Sequence, residues 1–103
     1  MVTHTDYEAV AAGQTAQVLG PVGKAGDIIE RLIVKPATES PGAVTIIDGT
    51  GGSAVSTVVY TGGATSIDDL KPLVIELGIR SRVGAWQITT GADVSVLAIG
   101  RFT

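Results

Sequence analysis

Glycine and proline residues cut this chain into short runs, and their spacing limits the fold more than any other feature. The 103 residues include 14 glycines and 4 prolines. The breakers fall at Gly20-Pro21, Gly23, Gly26, 36–42, 49–52, Gly62-Gly63, Gly78, Gly84 and Gly91. Runs of this length, rich in Val, Ile and Thr and without a 3.6-residue apolar pattern, favour strands over helices. The spacing therefore predicts an all-β chain.

Alternation of apolar and polar residues places the strands within these runs. We predict strands at 14–19, 27–35, 43–48, 53–60, 72–77, 84–90 and 94–102, and an eighth could form in part of the N-terminal segment. The run at 27–35, DIIERLIVK, is apolar on both faces. A helix can also be drawn through it, but the run is short, ends in β-branched residues and meets Pro36. Seven or eight strands fit a two-sheet antiparallel β-sandwich.

The stretch GAWQITTGADVSVLAIGRF at 84–102 reads as a β-hairpin and holds the only Trp and the only Phe. A three-residue loop at 91–93 would place Ile88 opposite Val96 and Trp86 opposite Ala98, whereas a two-residue loop would shift every pair by one. We predict the three-residue loop, because it sets a large ring over a small side chain on one buried face. The second face of the last strand is then apolar as well.

A second hairpin is predicted from strands 43–48 and 53–60 around the glycine-rich loop 49–52. Pairing Asp48 with Ser53 would set Ile46 opposite Val55 and align one apolar face. The expected core comprises Leu32, Val34, Ile46, Val55, Ile75, Trp86, Ile88 and Val96. We expect residues 13–103 to form one domain, preceded by an N-terminal arm at 1–12 that is loose unless it pairs with something.

Composition removes several function classes. The chain has no cysteine and a single histidine, His4, so disulfides and cysteine- or histidine-rich metal sites are not expected, and we predict no cofactor. The net charge of −3 argues against a nucleic-acid partner. No apolar run is long enough to span a membrane, and the first residues do not resemble a signal peptide, so synthesis in the cytoplasm is expected.

Three local motifs suggest chemistry and are better explained as turns. The segment GPVGKAGD lacks the first glycine and the Ser or Thr of a phosphate-binding loop. The run DGTGG at 48–52 has one carboxylate, too few for a calcium loop or an aspartic-protease pair, and Asp48 is expected to form the turn. Asp68 and Asp69 would diverge on a helix or a strand, so the preferred interpretation is a solvated role in a turn or in one short helical turn with Ser66 as its cap.

We do not expect catalysis, because the sequence shows no nucleophile, base or metal cluster. Two other classes of function remain. A carbohydrate-binding module is one, although such a site usually needs several exposed aromatic rings and Trp86 is expected in the core. A structural protein that packs against its own copies or a larger assembly is the other. The apolar second faces of 27–35 and 94–102 favour the structural protein.

The arm, the segment LGPVGKAGDIIERLIV, the hairpin IIDGTGGS and the closing stretch GAWQITTGADVSVLAIGRF resemble the small decoration (cement) and related virion proteins of tailed bacteriophages. This resemblance implies a jelly-roll-like sandwich that binds the outer surface of the capsid, contacts the major capsid protein and stabilises the shell. It also implies a dimer or trimer and a place in the virion. The alternative is a carbohydrate- or receptor-binding module of a phage fibre or tail.

Candidate contact residues for the capsid or for a second subunit fall in two groups. Asp6, Tyr7 and Glu8 lie in the N-terminal arm, which could add to a neighbour's sheet. Arg80 and Arg82 flank a serine in a loop and expose a small positive spot, which suits the polar rim of an interface.

Overall fold

The computed structural model of the chain describes residues 6–65 and 70–103 and contains two four-stranded antiparallel sheets. The strands are β1 (Asp6–Val10), β2 (Gln17–Val18), β3 (Ile28–Pro36), β4 (Val44–Asp48), β5 (Val55–Tyr60), β6 (Leu73–Arg80), β7 (Trp86–Thr90) and β8 (Val94–Arg101). One 3₁₀ turn, Gly51–Ser53, lies between β4 and β5. The predicted all-β, two-sheet antiparallel sandwich is confirmed. His4 and the helical turn predicted at 66–69 lie outside the described residues.

Strand order is nested in both sheets. The first sheet has the order β1-β8-β3-β6 and the second has the order β2-β7-β4-β5. The first strand thus pairs with the last, the second with the seventh, the third with the sixth and the fourth with the fifth. The chain is therefore a single long hairpin, centred on the β4–β5 connection, that folds over into two layers.

The hairpin predicted at 84–102 is wrong, because β7 and β8 belong to different sheets. The loop at 91–93 has the predicted length, but it carries the chain from one layer to the other. Its backbone pairs with the loop before β4: the Gly91 amide donates to the Ala43 carbonyl, and the Gly42 amide donates to the Ala92 carbonyl, both at 2.8 Å. These bonds hold the turn across the two layers.

The faces of β7 and β8 are nevertheless as predicted, since both inward faces enter the same core. Trp86 and Ile88 on β7 are buried, as is Val96 on β8. The buried core is Val10, Leu19, Ile29, Leu32, Val34, Val44, Ile46, Trp86, Ile88, Val94, Val96, Ala98 and Phe102. Ile75 only packs against this core, and the prediction that Val55 is buried is wrong, because its side chain is 57% exposed.

The β4–β5 hairpin is confirmed, but its register differs from the predicted one by two residues. Asp48 pairs with Val55 and Ile46 pairs with Thr57. The 3₁₀ turn includes Ser53 and is capped by Ala54, both of which the prediction assigned to the strand, so β5 begins two residues later, at Val55. β5 is the outer strand of its sheet, and in this register its first inward-facing side chains are exposed to solvent and do not pack in the core.

The described part of the predicted arm belongs to the sandwich. β1 pairs with β8 along its whole length, and Val10 is buried. After the strand, the Thr90 hydroxyl donates a hydrogen bond to the Ala11 carbonyl at 2.6 Å, and the Gly13 amide donates to the Gly91 carbonyl. Residues 6–13 are thus tied to their own domain, which differs from the separate arm expected up to residue 12.

Candidate functional site

The two groups of predicted contact residues lie at the same end of the first sheet but on opposite edges. Asp6 is aligned with Gly100 on β8, which is aligned with Ile29 on β3 and then with Ile79 on β6. Arg80 is the next residue along β6. Three strand spacings separate β1 from β6, so their backbones lie roughly 14 Å apart. The five residues therefore do not form one cluster.

The edge formed by β1 and β2 is closed by side-chain hydrogen bonds, and we call it the sealed edge. The carboxylate of Glu8 accepts one hydrogen bond from the Gln17 side-chain amide and one from the Gly20 backbone amide, both at 2.8 Å. The Gln17 amide also donates to the Ala9 carbonyl. These bonds join the first sheet to the second, so Glu8, predicted to contact a partner, is used inside the domain.

The edge formed by β5 and β6 is open, and we call it the open edge. A cleft of about 580 Å³ lies between the two strands. Val55 and Thr57 on β5 and Ile79 on β6 line it, and all three side chains are exposed. Arg80 and Arg82 line one end of the cleft and are exposed as well. The second predicted group of contact residues therefore borders an apolar opening in the side of the sandwich.

Asp48 fixes the loop that carries Arg82. Its carboxylate is 8% exposed and accepts hydrogen bonds from the backbone amides of Arg82, Val83 and Gly84 at 2.8, 3.1 and 3.2 Å. Burial raises the pKa of Asp48, but these amides and the Arg82 charge lower it by more, so the pKa lies below its ordinary value. Asp48 was expected to form its own turn; instead it anchors a loop that is distant in sequence.

Asp27 anchors the same end of the sandwich. Its carboxylate accepts hydrogen bonds from the Thr103 amide at 3.1 Å, from the Thr103 hydroxyl and from the Lys24 amide. Its carbonyl accepts a 3.0 Å hydrogen bond from the indole nitrogen of Trp86. The sequence showed only an acidic residue before the strongest strand, and nothing in it indicated these partners.

The outer face of the first sheet, which we call the apolar face, carries apolar side chains across all four strands. Ala9, Leu97, Ile33 and Val74 form one row across the sheet. In a parallel row, Tyr7 and Ile99 are followed by an Arg31–Glu76 ion pair at 2.9 Å. Tyr7 is 75% exposed and Val74 is 53% exposed. The second face predicted for 94–102 lies here, but of the second face predicted for 27–35 only Ile33 does, because a register shift between Ile29 and Arg31 turns Ile29 into the core.

The outer face of the second sheet is more polar. Thr89 pairs with Thr45, which pairs with Val58, and Gln87 pairs with Ile47, which pairs with Ser56. The amide of Gln87 is turned to the Gly49 carbonyl, to which it donates at 2.7 Å. The two outer faces thus differ in chemistry, and the apolar one is suited to protein contact.

Within residues 6–65 and 70–103, no three His, Asp or Glu side chains converge as metal ligands. In the same part of the chain, no helix is long and apolar enough to cross a membrane. Comparison of the chain with protein-family models, with curated protein sequences and with solved structures gave no match.

Proposed function

We propose that this protein is a non-enzymatic structural component of a tailed-phage virion that binds the outside of the capsid and stabilises it. The apolar face is the observation that carries this proposal. It is broad and crosses four strands, so it suits a protein surface better than a small ligand, which prefers a concave pocket. Exposed Tyr7 and Val74 at its two margins provide side chains that gain free energy when a partner covers them.

The nested strand pairing supports the further proposal that the sandwich is a jelly roll. A jelly roll is an eight-stranded double sheet built from two Greek keys. In this chain β1 pairs with β8, β2 with β7, β3 with β6 and β4 with β5. That arrangement is the one expected when a long hairpin is wound into two layers, and it is the fold that the resemblance to decoration proteins implies.

Capsid binding would be distributed over many copies. The apolar face would contact the major capsid protein, and Arg80 and Arg101 would lie near its polar rim. A single such contact is weak, but copies linked to one another bind a repeating shell with a higher combined affinity. Self-association of the protein is therefore part of the proposal, and the capsid surface is the proposed location.

Co-sedimentation with undecorated capsids of the cognate phage tests the proposal. We expect the wild-type protein to pellet with capsids and Ile33→Lys to stay largely in the supernatant, because the lysine places a charge in the middle of the apolar face. Thr45→Lys is the matched control. It introduces the same charge at a half-buried position on a central strand, but on the outer face of the second sheet.

Two further measurements complete this test. Both variants should give the far-UV circular dichroism spectrum of the wild type, so that lost binding is not lost folding. A protein without residues 1–5 keeps all of β1 and tests whether those residues add to capsid binding. If the wild-type protein does not pellet, the decoration proposal fails; if Ile33→Lys pellets as well as the wild type, the apolar face is not the contact.

The alternative, a carbohydrate- or receptor-binding module of a phage fibre or tail, is supported by a shallow pocket beside β1. Its volume is about 460 Å³, and Asp6, Tyr7, Gly20 and Phe102 line it. An exposed ring next to a carboxylate suits a sugar. Binding to a glycan array that is lost in Tyr7→Ala would favour this alternative, and it would replace the first proposal if capsids were not bound.

A further inference from the structure

The four edge strands of the sandwich differ in how well they are protected from pairing with another strand. β1, DYEAV, carries two carboxylates, and β2 has only two residues. β6 carries Glu76 and Arg80, and its register with β3 shifts near Gly78, which has a φ of +63°. Charges, short length and bulges are the usual devices that keep an edge from extending.

β5 has none of these devices over its exposed first part. Its sequence, VSTVVY, contains no charge, no proline and no glycine. Four consecutive residues from Val55 to Val58 are exposed, with Val55 at 57% and Val58 at 53%. Residues of this type favour strand pairing, and a free edge of this kind binds a further strand readily.

Exposed apolar side chains are concentrated around the same edge. In the described part of the chain, large exposed apolar side chains on β5, β6 and the loops next to β6 are Val55, Val58, Leu70, Leu73, Val74, Ile79 and Val83. The cleft of the open edge lies among several of them. A partner that extends the second sheet beyond β5 would also cover this cleft, because the cleft opens beside that strand.

We propose that β5 pairs in antiparallel fashion with β5 of a second copy of this chain. A twofold axis would join the two second sheets into one eight-stranded sheet, since each contributes four strands. The open clefts of the two copies would face each other across the axis and close. This inference deepens the proposed function, on whose self-association it rests, by naming the surface that self-associates.

Charge allows a second copy to pair with β5 but not with β1. Each copy carries a net charge of −3, so two copies repel unless the surfaces that meet are free of like charges. Antiparallel self-pairing sets residues of one strand against nearby residues of the same strand. On β1 this would oppose carboxylates, whereas on β5 only Val, Ser, Thr and Tyr meet.

Register and size are also compatible with the pairing. The joined sheet has one inward face only if inward-facing residues of β5 lie opposite inward-facing residues of the second copy. Thr57 of one copy therefore pairs with Thr57 or with Val55 of the other. A stable dimer buries about 800 Å² on each partner, about a seventh of the 5693 Å² accessible surface of this chain. One side of a domain measuring 43 × 33 × 19 Å can provide such an area.

Sedimentation equilibrium of the full chain without capsids tests the inference. We expect a concentration-dependent dimer, and we expect Val58→Lys to raise its dissociation constant at least about tenfold, because it sets a lysine of each copy against Ser56 or Ala54 of the other copy at the joined edge. Ala9→Lys adds the same charge at an exposed position of the other edge, on β1, and should leave the constant unchanged. An equimolar mixture of Val58→Lys and Val58→Glu should again form a dimer.

Hydrogen exchange identifies the strand that pairs. Backbone amides of residues 55–60 should exchange more slowly as protein concentration rises, while exchange on β1 stays constant. A wild-type protein that stays monomeric, or a dimer that forms equally well from Val58→Lys, overturns the inference. So does protection of β5 that arises only when capsids are added, since the added strand then comes from the capsid protein.

The two proposals can fail separately. A monomer that pellets with capsids overturns pairing through β5 and the self-association in the proposed function, and leaves capsid binding itself standing. A dimer that loses affinity in Val58→Lys but does not pellet leaves the pairing standing and overturns decoration. Ser56→Lys, at another exposed position of β5, serves as a second variant if Val58→Lys does not fold.

Discussion

The sealed edge and the open edge are built alike, from one outer strand of each sheet, but the side-chain hydrogen bonds described above cross the sealed edge. At the sealed edge, Glu8 on β1 reaches Gln17 on β2 and the Gly20 amide, so the two sheets are held together. At the open edge, Thr57 and Ile79 face a cleft. A sandwich can thus stabilise one side with partly buried hydrogen bonds and leave the other, apolar side available for contact.

Among the substitutions that test the comparison of the two edges, Trp86→Ala should have the largest effect on the free energy of unfolding. The ring is 4% exposed, borders the cleft and donates from its indole nitrogen to the Asp27 carbonyl. Its removal should lower the free energy of unfolding by about 3–5 kcal/mol, measured by urea denaturation. Trp86→Phe retains most of the packing and isolates the hydrogen bond. A loss below about 0.5 kcal/mol would mean that the ring is not part of the core.

Asp48→Asn should lower the free energy of unfolding by about 1–3 kcal/mol at neutral pH, because it replaces a carboxylate that accepts three backbone hydrogen bonds. The pKa of Asp48 is lowered in the folded state, so its contribution is complete above the ordinary pKa, about 4, and is lost as pH falls through the folded value. Urea denaturation at a series of acidic pH values should therefore show a smaller acid loss in Asp48→Asn. An unchanged acid loss would contradict this role.

Glu8→Ala tests the bridge of the sealed edge. It leaves the Gly20 amide without its side-chain acceptor and should lower the free energy of unfolding by about 1–2 kcal/mol. Glu8→Gln keeps the length of the side chain and should lose less. Thermal unfolding of both variants measures the difference, and equal stability of Glu8→Ala and wild type would show that the bridge contributes nothing.

Thr57→Ala is the matching change at the open edge. The side chain is exposed and no described hydrogen bond depends on it, so the free energy of unfolding of the monomer should change by less than about 0.5 kcal/mol. Measurement at low protein concentration keeps self-association out of the result. A loss as large as that of Glu8→Ala would mean that the open edge is not open in solution.

Tyr60→Phe should have the smallest effect. The Tyr60 hydroxyl is buried and has no hydrogen-bond partner among the described residues, so its removal costs no bond within them. We expect the free energy of unfolding to rise or to change by less than about 0.5 kcal/mol. Differential scanning calorimetry against the wild type measures this, and a clear loss of stability would reveal a partner for the hydroxyl.

Sequence alternation predicted which faces are buried but not which sheet each strand joins. Trp86 and Val96 both point to the core, as expected, yet they do so from opposite layers. A short loop with glycine is compatible with a hairpin and with a turn between layers. The loop at 91–93 forms a turn between layers because its backbone pairs with residues 42 and 43, nearly 50 positions earlier. The local sequence pattern does not reveal a pairing at that distance.

The same limit applies to the candidate site. Tyr7, Arg80 and Arg82 are exposed, and their role in contact with a partner stays a prediction. The internal roles of Glu8 and Asp48 were not predicted, because most of their partners are backbone amides, which every residue except proline provides. Charged residues look alike in sequence whether they face water or bind a loop.

Nested pairing also has a consequence for biosynthesis. β1 leaves the ribosome first, but its neighbour in the first sheet is β8, the last of the eight strands to be made. β3 also pairs with β8, so one of its two sides has no partner strand until β8 is made. The hairpin of β4 and β5 can form early, whereas the first sheet assembles only after β8 has emerged. Until β8 is made, β1 has no partner in the first sheet and β3 lacks one of its two, so the apolar side chains of β3 stay exposed in the way that chaperones for extended apolar segments recognise.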